Sequence, residues 1–338
     1  MAPNSLVTRP WRLFATVLTA VLACALSTAA AIPAAATEPV VTAGLGQVAD
    51  FGPNPGNLGM FDYVPPGLPS GAPLVVALHG CSQSAQDYFA HSGWTKYADQ
   101  WHFAVVFPQQ SSANNILSCF NWFLPAEDGR GQGEAASIRQ MVTYAASTFH
   151  IDPRRVYLTG LSAGGGMVAD LLADYPDVFA AGSIDSGLPA QCATTSVEAS
   201  GCQSGGQNRT PAQWGDLVRN SDRGYTGPWP RVAIWQGTAD FTVNAANATE
   251  LTEQWTNVWG IGQRPSSTKT LPGGTTENIY NDGTGAPAVQ TYTVAGMGHG
   301  LAVHPGAGAD QCGTVGAFFL DAICSTYYTA LFWGLTSE

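Results

Sequence analysis

The sequence predicts an α/β fold of one domain, a mostly parallel sheet with helices on both faces. Two observations predict it. Short continuous apolar runs recur along the chain, as expected of strands buried on both faces. Segments of helical periodicity lie between them, so strands and helices alternate as a parallel sheet requires. The strand-like runs are PLVVALHG (73–80), FAVVFPQQ (103–110), RRVYLTG (154–160), AAGSIDSG (180–187), RVAIWQG (231–237) and VQTYTV (289–294). Between the second and third, Ile138, Met141, Val142, Ala145 and Phe149 fall at i, i+3, i+4, i+7 and i+11, one face of a helix. Two stretches break the alternation. Residues 191–230 are long, polar and carry two cysteines, which suits a lid or excursion beside an active site. Residues 262–287 read as connecting loop with room for a hairpin.

The first 36 residues read as a secretory signal peptide, outside the domain. Arg9 and Arg12 precede an apolar run from Leu13, and small residues at 34–36 precede Thr37. A membrane anchor fits less well, because Ala, Ser and Thr dilute the run and no basic stop follows. Leu22 fits poorly in a lipidation site for Cys24. Residues 37–57 are rich in Gly, Pro and Ala and read as an irregular lead-in, leaving 58–338 for the catalytic domain. No later segment is apolar for long enough to span a bilayer. Removing the leader takes two of the 13 basic residues and none of the 24 acids, for a formal charge of −13. An acidic surface repels phosphate backbones and anionic bilayers, so nucleic acid and membrane are not expected as partners. A secreted monomer is expected.

Seven cysteines become six without Cys24, and an even number in an exported chain suggests disulfides. Sequence order offers Cys192 with Cys202 and Cys312 with Cys324, leaving Cys81 with Cys119, among about fifteen possible connectivities. No C-x-x-C occurs, which argues against a zinc ribbon or a redox motif. No metal or organic cofactor is expected.

Chemistry enters at TGLSAGGGM (159–167), where Ser162 sits between an apolar run and the helix-compatible GGMVADLLADY. Alone, G-x-S-x-G reads equally as a Gly-rich turn. An acyl-transfer serine also needs a base, an acid to orient that base, and backbone donors for the oxyanion. In an α/β-hydrolase these arrive in the order Ser, acid, His, each after a strand. The chain supplies that order, with Asp240 in GTAD after the fifth run and His299 in AGMGHG after the sixth. LHGCSQ (78–83) follows an early strand, where the Cys81 amide is the expected oxyanion donor beside that of Ala163. Gly160 and Gly164 are required where the turn brings backbones too close for side chains. Each piece has a structural alternative. Asp240 reads also as a helix N-cap and has a rival acid in Asp185; His299 has a rival in His304. His79 reads as structural, bonding the loop that presents the oxyanion donor, and His91, His102 and His150 carry no motif. Four strand-end motifs in the required order select Ser162, Asp240 and His299.

The longer stretches carry a resemblance. LHGCSQSAQDYFAHSGWTKYADQWHFAVVFPQQ, SCFNWF, GEAASIRQMV, GLSAGGGM, YPDVFAAGSIDSGLP, IWQGTADFTVN, AGMGHG and FFLDAICSTYYTALFWGL are similar to secreted esterases of the poly(3-hydroxybutyrate) depolymerase family. That family also contains feruloyl and acetylxylan esterases. The resemblance runs from about Leu58 to the C terminus. It implies nucleophile Ser162, acid Asp240 and base His299, with Cys81 and Ala163 at the oxyanion hole. It further implies that Cys81 pairs with Cys119, and that Trp122 lines the substrate cleft. Trp214 and Trp229 are further cleft candidates, although packing is the commoner fate of a Trp.

The expected activity is ester hydrolysis through an acyl-enzyme, on a polyester or on feruloyl or acetyl groups of plant cell walls. No linker or second module follows the LFWGL segment, which weighs against an insoluble polyester without excluding it. A serine peptidase or acyltransferase would use the same fold and triad. A non-catalytic hydrolase-like binding module would be expected to lack a triad member.

Overall fold

The computed structural model describes residues 44–336, so the expected leader and Cys24 lie outside the described residues. The chain runs β1 (Gly46–Val48), β2 (Gly59–Tyr63), β3 (Leu74–Leu78), α1 (Ala85–His91), α2 (Trp94–Trp101), β4 (Ala104–Gln109), α3 (Pro125–Asp128) and α4 (Gly133–Thr148). It continues through β5 (Val156–Leu161), α5 (Ala163–Asp174), β6 (Ala181–Asp185), α6 (Ser196–Ser204), α7 (Pro211–Ser221), β7 (Arg231–Gly237) and α8 (Ala246–Val258). It closes with β8 (Ser267–Leu271), β9 (Thr275–Asn281), β10 (Pro287–Val294), β11 (Leu301–Val303), β12 (Phe319–Asp321) and α9 (Ser325–Trp333).

The six apolar runs become six adjacent parallel strands, β4-β3-β5-β6-β7-β10, at the centre of a ten-stranded sheet. β2 and β1 extend one edge antiparallel, and β9 and β8 extend the other. Strand side chains alternate between faces, and that alternation builds two cores. From β3, Leu74, Val76 and Leu78 enter the layer formed with α4, α5 and α8; Val75 and Ala77 enter the layer formed with α1, α2 and α9. Both faces are apolar, so these strands read as continuous rather than alternating runs. The arrangement is that of an α/β-hydrolase.

Two stretches differ from the sequence reading. The lead-in contributes β1, whose three residues pair with the otherwise free edge of β2. Residues 191–230 carry two helices, α6 and α7, joined and flanked by loop. Thr195 caps α6 by accepting from the Glu198 amide, and α7 starts at a capping box of Thr210 and Gln213 with Pro211 behind it. Residues 262–287 do contain a hairpin, β8–β9, turned through Gly273 and Gly274 at φ of 65° and 67°. The three disulfides are Cys81–Cys119, Cys192–Cys202 and Cys312–Cys324, the pairing that sequence order offered.

Beneath α5 the core holds acids without matching cations. Asp128, Asp170 and Asp174 are all buried, and both Asp128 oxygens and one each of Asp170 and Asp174 lack a hydrogen-bond partner. Burial pushes Asp174 up to about 8, the Asp128 charge adds to this, and Arg130 opposes it. Burial raises Asp128 and Asp170 in the same direction. The folded state therefore holds protons that the unfolded chain releases above its ordinary carboxylate range. That stability is complete at acid pH and is lost as pH rises toward 8. Asp174→Asn is expected to raise stability at about pH 9 by roughly 1–2 kcal/mol and to leave it little changed near pH 4. Thermal unfolding across that range checks it, and a variant less stable than the parent at high pH contradicts it.

Candidate active site

β5 turns into α5 through Ser162, whose backbone sits at φ 59°, ψ −119°. A non-glycine residue there is strained by roughly 1–3 kcal/mol and persists only where its surroundings hold it. They do: Ser162 N–H donates to the Asp185 carbonyl at 2.9 Å, and the Ser162 carbonyl accepts from Gly166 N–H at 2.9 Å. A Cβ on Gly160 would lie 2.5 Å from the Gly164 oxygen, and one on Gly164 would lie 2.5 Å from the His79 oxygen. Glycine is the residue that fits at both positions. The turn places Ser162 at the carboxyl end of a central parallel strand, where open α/β sheets form their crevices.

Asp240 follows β7, and each of its oxygens is doubly engaged. Oδ1 accepts from the Thr242 and Val243 amides, both at 2.9 Å. Oδ2 accepts from Gln236 Nε2 at 3.0 Å and lies 2.8 Å from His299 Nδ1. A carboxylate only accepts, so His299 donates from Nδ1 and keeps Nε2 free to take a proton. Burial pushes the Asp240 carboxyl up, but the bonds from His299, Val243 and Thr242 outweigh it and hold the group below its ordinary value. Asp240 does not cap α8, whose N-cap residue is Ala245.

The loop after β3 is pinned on several sides. His79 Nδ1 donates to the Gly80 carbonyl at 2.7 Å, and its Nε2 accepts from the Gln110 amide at 3.1 Å. Burial lowers this imidazole to about 4, so near neutral pH it stays in the uncharged form those two bonds require. Gly80 N–H donates to Gln83 Oε1 at 2.8 Å, Ser82 N–H donates to the Leu117 carbonyl at 2.6 Å, and Cys81 is tied to Cys119. Among the described residues the amides of Cys81 and Ala163 donate to no protein acceptor. For Ala163 the reason is its place in the first turn of a helix.

Cys81, Trp122, Ser162, Ala163 and His299 line one cavity of about 450 Å³, with Asp240 covered behind His299. Ser196, Ala199, Ser200 and Gln203 of α6 form part of its wall, so the 191–230 stretch does border the site. The rivals lie elsewhere. Asp185 accepts from Thr159 at 3.0 Å and Ser183 at 3.1 Å inside the sheet. His304 pairs with Asp321 at 3.0 Å on a separate surface depression. His91 stacks on Phe319, while His102 and His150 take positive φ at helix ends. Trp214 is buried in the core and Trp229 packs against Tyr225, so neither lines the cavity. Three contributors escaped the sequence reading. Gln236 holds Asp240, Gln83 holds the Gly80 amide, and Phe318 packs edge-on to His299 with centroids 6.0 Å apart. Phe318 has φ 64°, a strained setting for a bulky residue. A serine, an imidazole with a free nitrogen and two unengaged amides around one cavity form the set that acyl transfer needs.

Residues 58–279 match the family model described as Esterase PHB depolymerase. Poly(3-hydroxyalkanoate) depolymerase C of Paucimonas lemoignei is 52% identical over 292 residues, 86% of this chain and 70% of that protein. Feruloyl esterase B of Talaromyces stipitatus is 37% identical, covering 77% of this chain and 73% of its own. Among solved structures, acetyl xylan esterase from Aspergillus awamori superposes with a TM-score of 0.69 at 31% identity, covering 76% of this chain and 94% of that one.

Proposed function

Because the chain belongs to the esterase PHB depolymerase family, we propose that it is a secreted serine carboxylesterase that cleaves a poly(3-hydroxyalkanoate) polyester through an acyl-enzyme. The observation that carries this is the 2.8 Å Asp240–His299 pair in the cavity that Ser162 also lines. Ser162 Oγ attacks the ester carbonyl while His299 Nε2 takes its proton, and the Cys81 and Ala163 amides receive the developing oxyanion. His299 returns the proton to the departing alcohol. Water then attacks the acyl-enzyme by the same steps and releases the acid. Asp240 keeps the imidazole in its Nδ1–H tautomer throughout.

The degree of identity favours a polyester over plant cell-wall esters, and the uncharged cavity is compatible with it. The depolymerase is 52% identical, against 37% for the feruloyl esterase. No Asp, Glu, Lys or Arg lines the cavity, and Ile116, Leu117, Phe123, Leu188 and Phe318 do, which suits an uncharged aliphatic ester. Export is supported by the leader-like first 36 residues and by three disulfides.

A fluorophosphonate is expected to label Ser162, and the purified protein is expected to turn over a poly(3-hydroxybutyrate) suspension faster than methyl ferulate or acetylated xylan. Faster release of ferulate or acetate would move the substrate to the plant cell wall. An unlabelled serine would remove the mechanism and leave the non-catalytic reading.

A further inference from the structure

Helix α6 has a cavity on each side. Ser196, Ala199, Ser200 and Gln203 share one helix face and line the catalytic cavity. Glu198 and Gly201 lie on the opposite face and line a second cavity of about 440 Å³, together with Thr194, Gln207 and Arg209. Cys192 also lines it and is tied to α6 by the Cys192–Cys202 disulfide. The helix is therefore a wall one helix thick between the two cavities. Glu198 and Arg209 are the charged residues of the second lining, whereas the catalytic cavity has no Asp, Glu, Lys or Arg.

The cation in the second cavity is unmatched. The Arg209 guanidinium lies over the Trp214 ring, 4.7 Å from its centroid, and Nη1 is buried with no hydrogen-bond partner among the described residues. Among those residues no carboxylate comes within ion-pair distance of it. A buried donor without an acceptor is costly, and most of all on a charged group. Gln207 brings a second donor. Its backbone amide donates to Glu250 Oε1 at 2.6 Å, which leaves the side-chain amide free of that bond. A Cβ added to Gly201 would lie 3.3 Å from Gln207 Nε2, so glycine there lets this amide rest against α6. Glu198 supplies an acceptor: Oε2 accepts from the amide and hydroxyl of Thr194, both at 2.8 Å, and Oε1 remains.

Resting on the polyester-hydrolase reading, we propose that the cavity behind α6 binds a short hydroxycarboxylic acid, the class of product that cleavage of a poly(3-hydroxyalkanoate) releases. One cation and one carboxylate in the lining call for a ligand with one negative charge and one donor. The guanidinium fork matches a carboxylate, which accepts from Arg209 Nη1 and Gln207 Nε2. The hydroxyl of the ligand donates to Glu198 Oε1, and its short carbon chain covers Leu217 and the disulfide. A simple fatty acid would leave Glu198 facing methylene groups, a dianion would be repelled by Glu198, and a metal cation would be repelled by Arg209. The catalytic cavity offers an acid product no cation, whereas the second cavity does.

The test is titration calorimetry with 3-hydroxybutyrate on protein labelled at Ser162 by a fluorophosphonate, which blocks the catalytic cavity. The labelled parent is expected to bind one ligand per chain and to hold butyrate severalfold more weakly, because butyrate lacks the hydroxyl. Arg209→Gln is expected to weaken 3-hydroxybutyrate binding at least tenfold. Gln207→Leu leaves the backbone bond to Glu250 in place and should weaken binding severalfold, a second readout should the Arg209 variant unfold. Binding unchanged in both variants overturns the proposal, and so does a labelled parent that binds nothing. Butyrate held as tightly as 3-hydroxybutyrate overturns the choice of a hydroxy acid. Arg209-dependent binding by a parent protein that takes no label and hydrolyses no ester would instead overturn the esterase reading and leave the site standing.

Discussion

Ser162→Ala is expected to lower kcat on a soluble ester by about 10⁴–10⁶, with the protein still folded. The loss is large because no neighbouring hydroxyl takes the place of Oγ beside His299 in the proposed mechanism. Substrate binding and the two amides persist, so activity should fall to a residual rate above that of water rather than to zero. Stability gives an independent readout. Alanine keeps a Cβ at φ 59°, so it inherits the strain of the turn. Ser162→Gly removes that Cβ and is expected to be more stable than Ser162→Ala, offset in part by the greater freedom of glycine in the unfolded chain. Both variants should keep only that residual rate. Initial rates with p-nitrophenyl butyrate and thermal midpoints decide the matter, and an alanine variant with more than about 1% of parental kcat would end the case for Ser162 as nucleophile.

Much of this site was legible in the sequence because strand ends and glycines leave local signals. β3, β5, β7 and β10 are buried on both faces or nearly so, and their apolar runs point straight at Cys81, Ser162, Asp240 and His299. Gly160 and Gly164 leave a signal because a Cβ would strike backbone. Other elements were hidden for physical reasons. β8 is exposed along most of its length and built from Ser, Thr and Lys, so no apolar period marks it. β1 is three residues long and exists only through its pairing with β2. α6 and α7 did carry legible caps, at Thr195 and at Thr210-Pro211 with Gln213, which the polar composition of the stretch obscured. The place of Phe318 beside His299 was beyond sequence reasoning. A contact between residues 299 and 318 exists only once the chain has folded.

The second large effect is expected at Asp240. Asp240→Asn should lower kcat by about 10³–10⁴ while changing KM little, since the group touches His299 rather than substrate. The geometry makes the substitution worse than the loss of one charge. Four donors converge on this side chain: the Thr242 and Val243 amides on Oδ1, and Gln236 Nε2 and His299 Nδ1 on Oδ2. An asparagine has one oxygen and one NH₂. With the NH₂ toward His299, Nδ1 must accept, the imidazole proton moves to Nε2, and the base that should take the Ser162 proton is already protonated. The same NH₂ then also faces the donor of Gln236. With the NH₂ turned the other way, it meets two backbone N–H groups, and both lose a buried acceptor. Either orientation leaves donors opposed, and the less costly of the two, with the NH₂ against one backbone-free donor and His299, is the one that blocks catalysis. Steady-state kinetics on a soluble ester, with circular dichroism to verify the fold, check this. A variant within about tenfold of parental kcat would show that His299 does not depend on Asp240 for its tautomer.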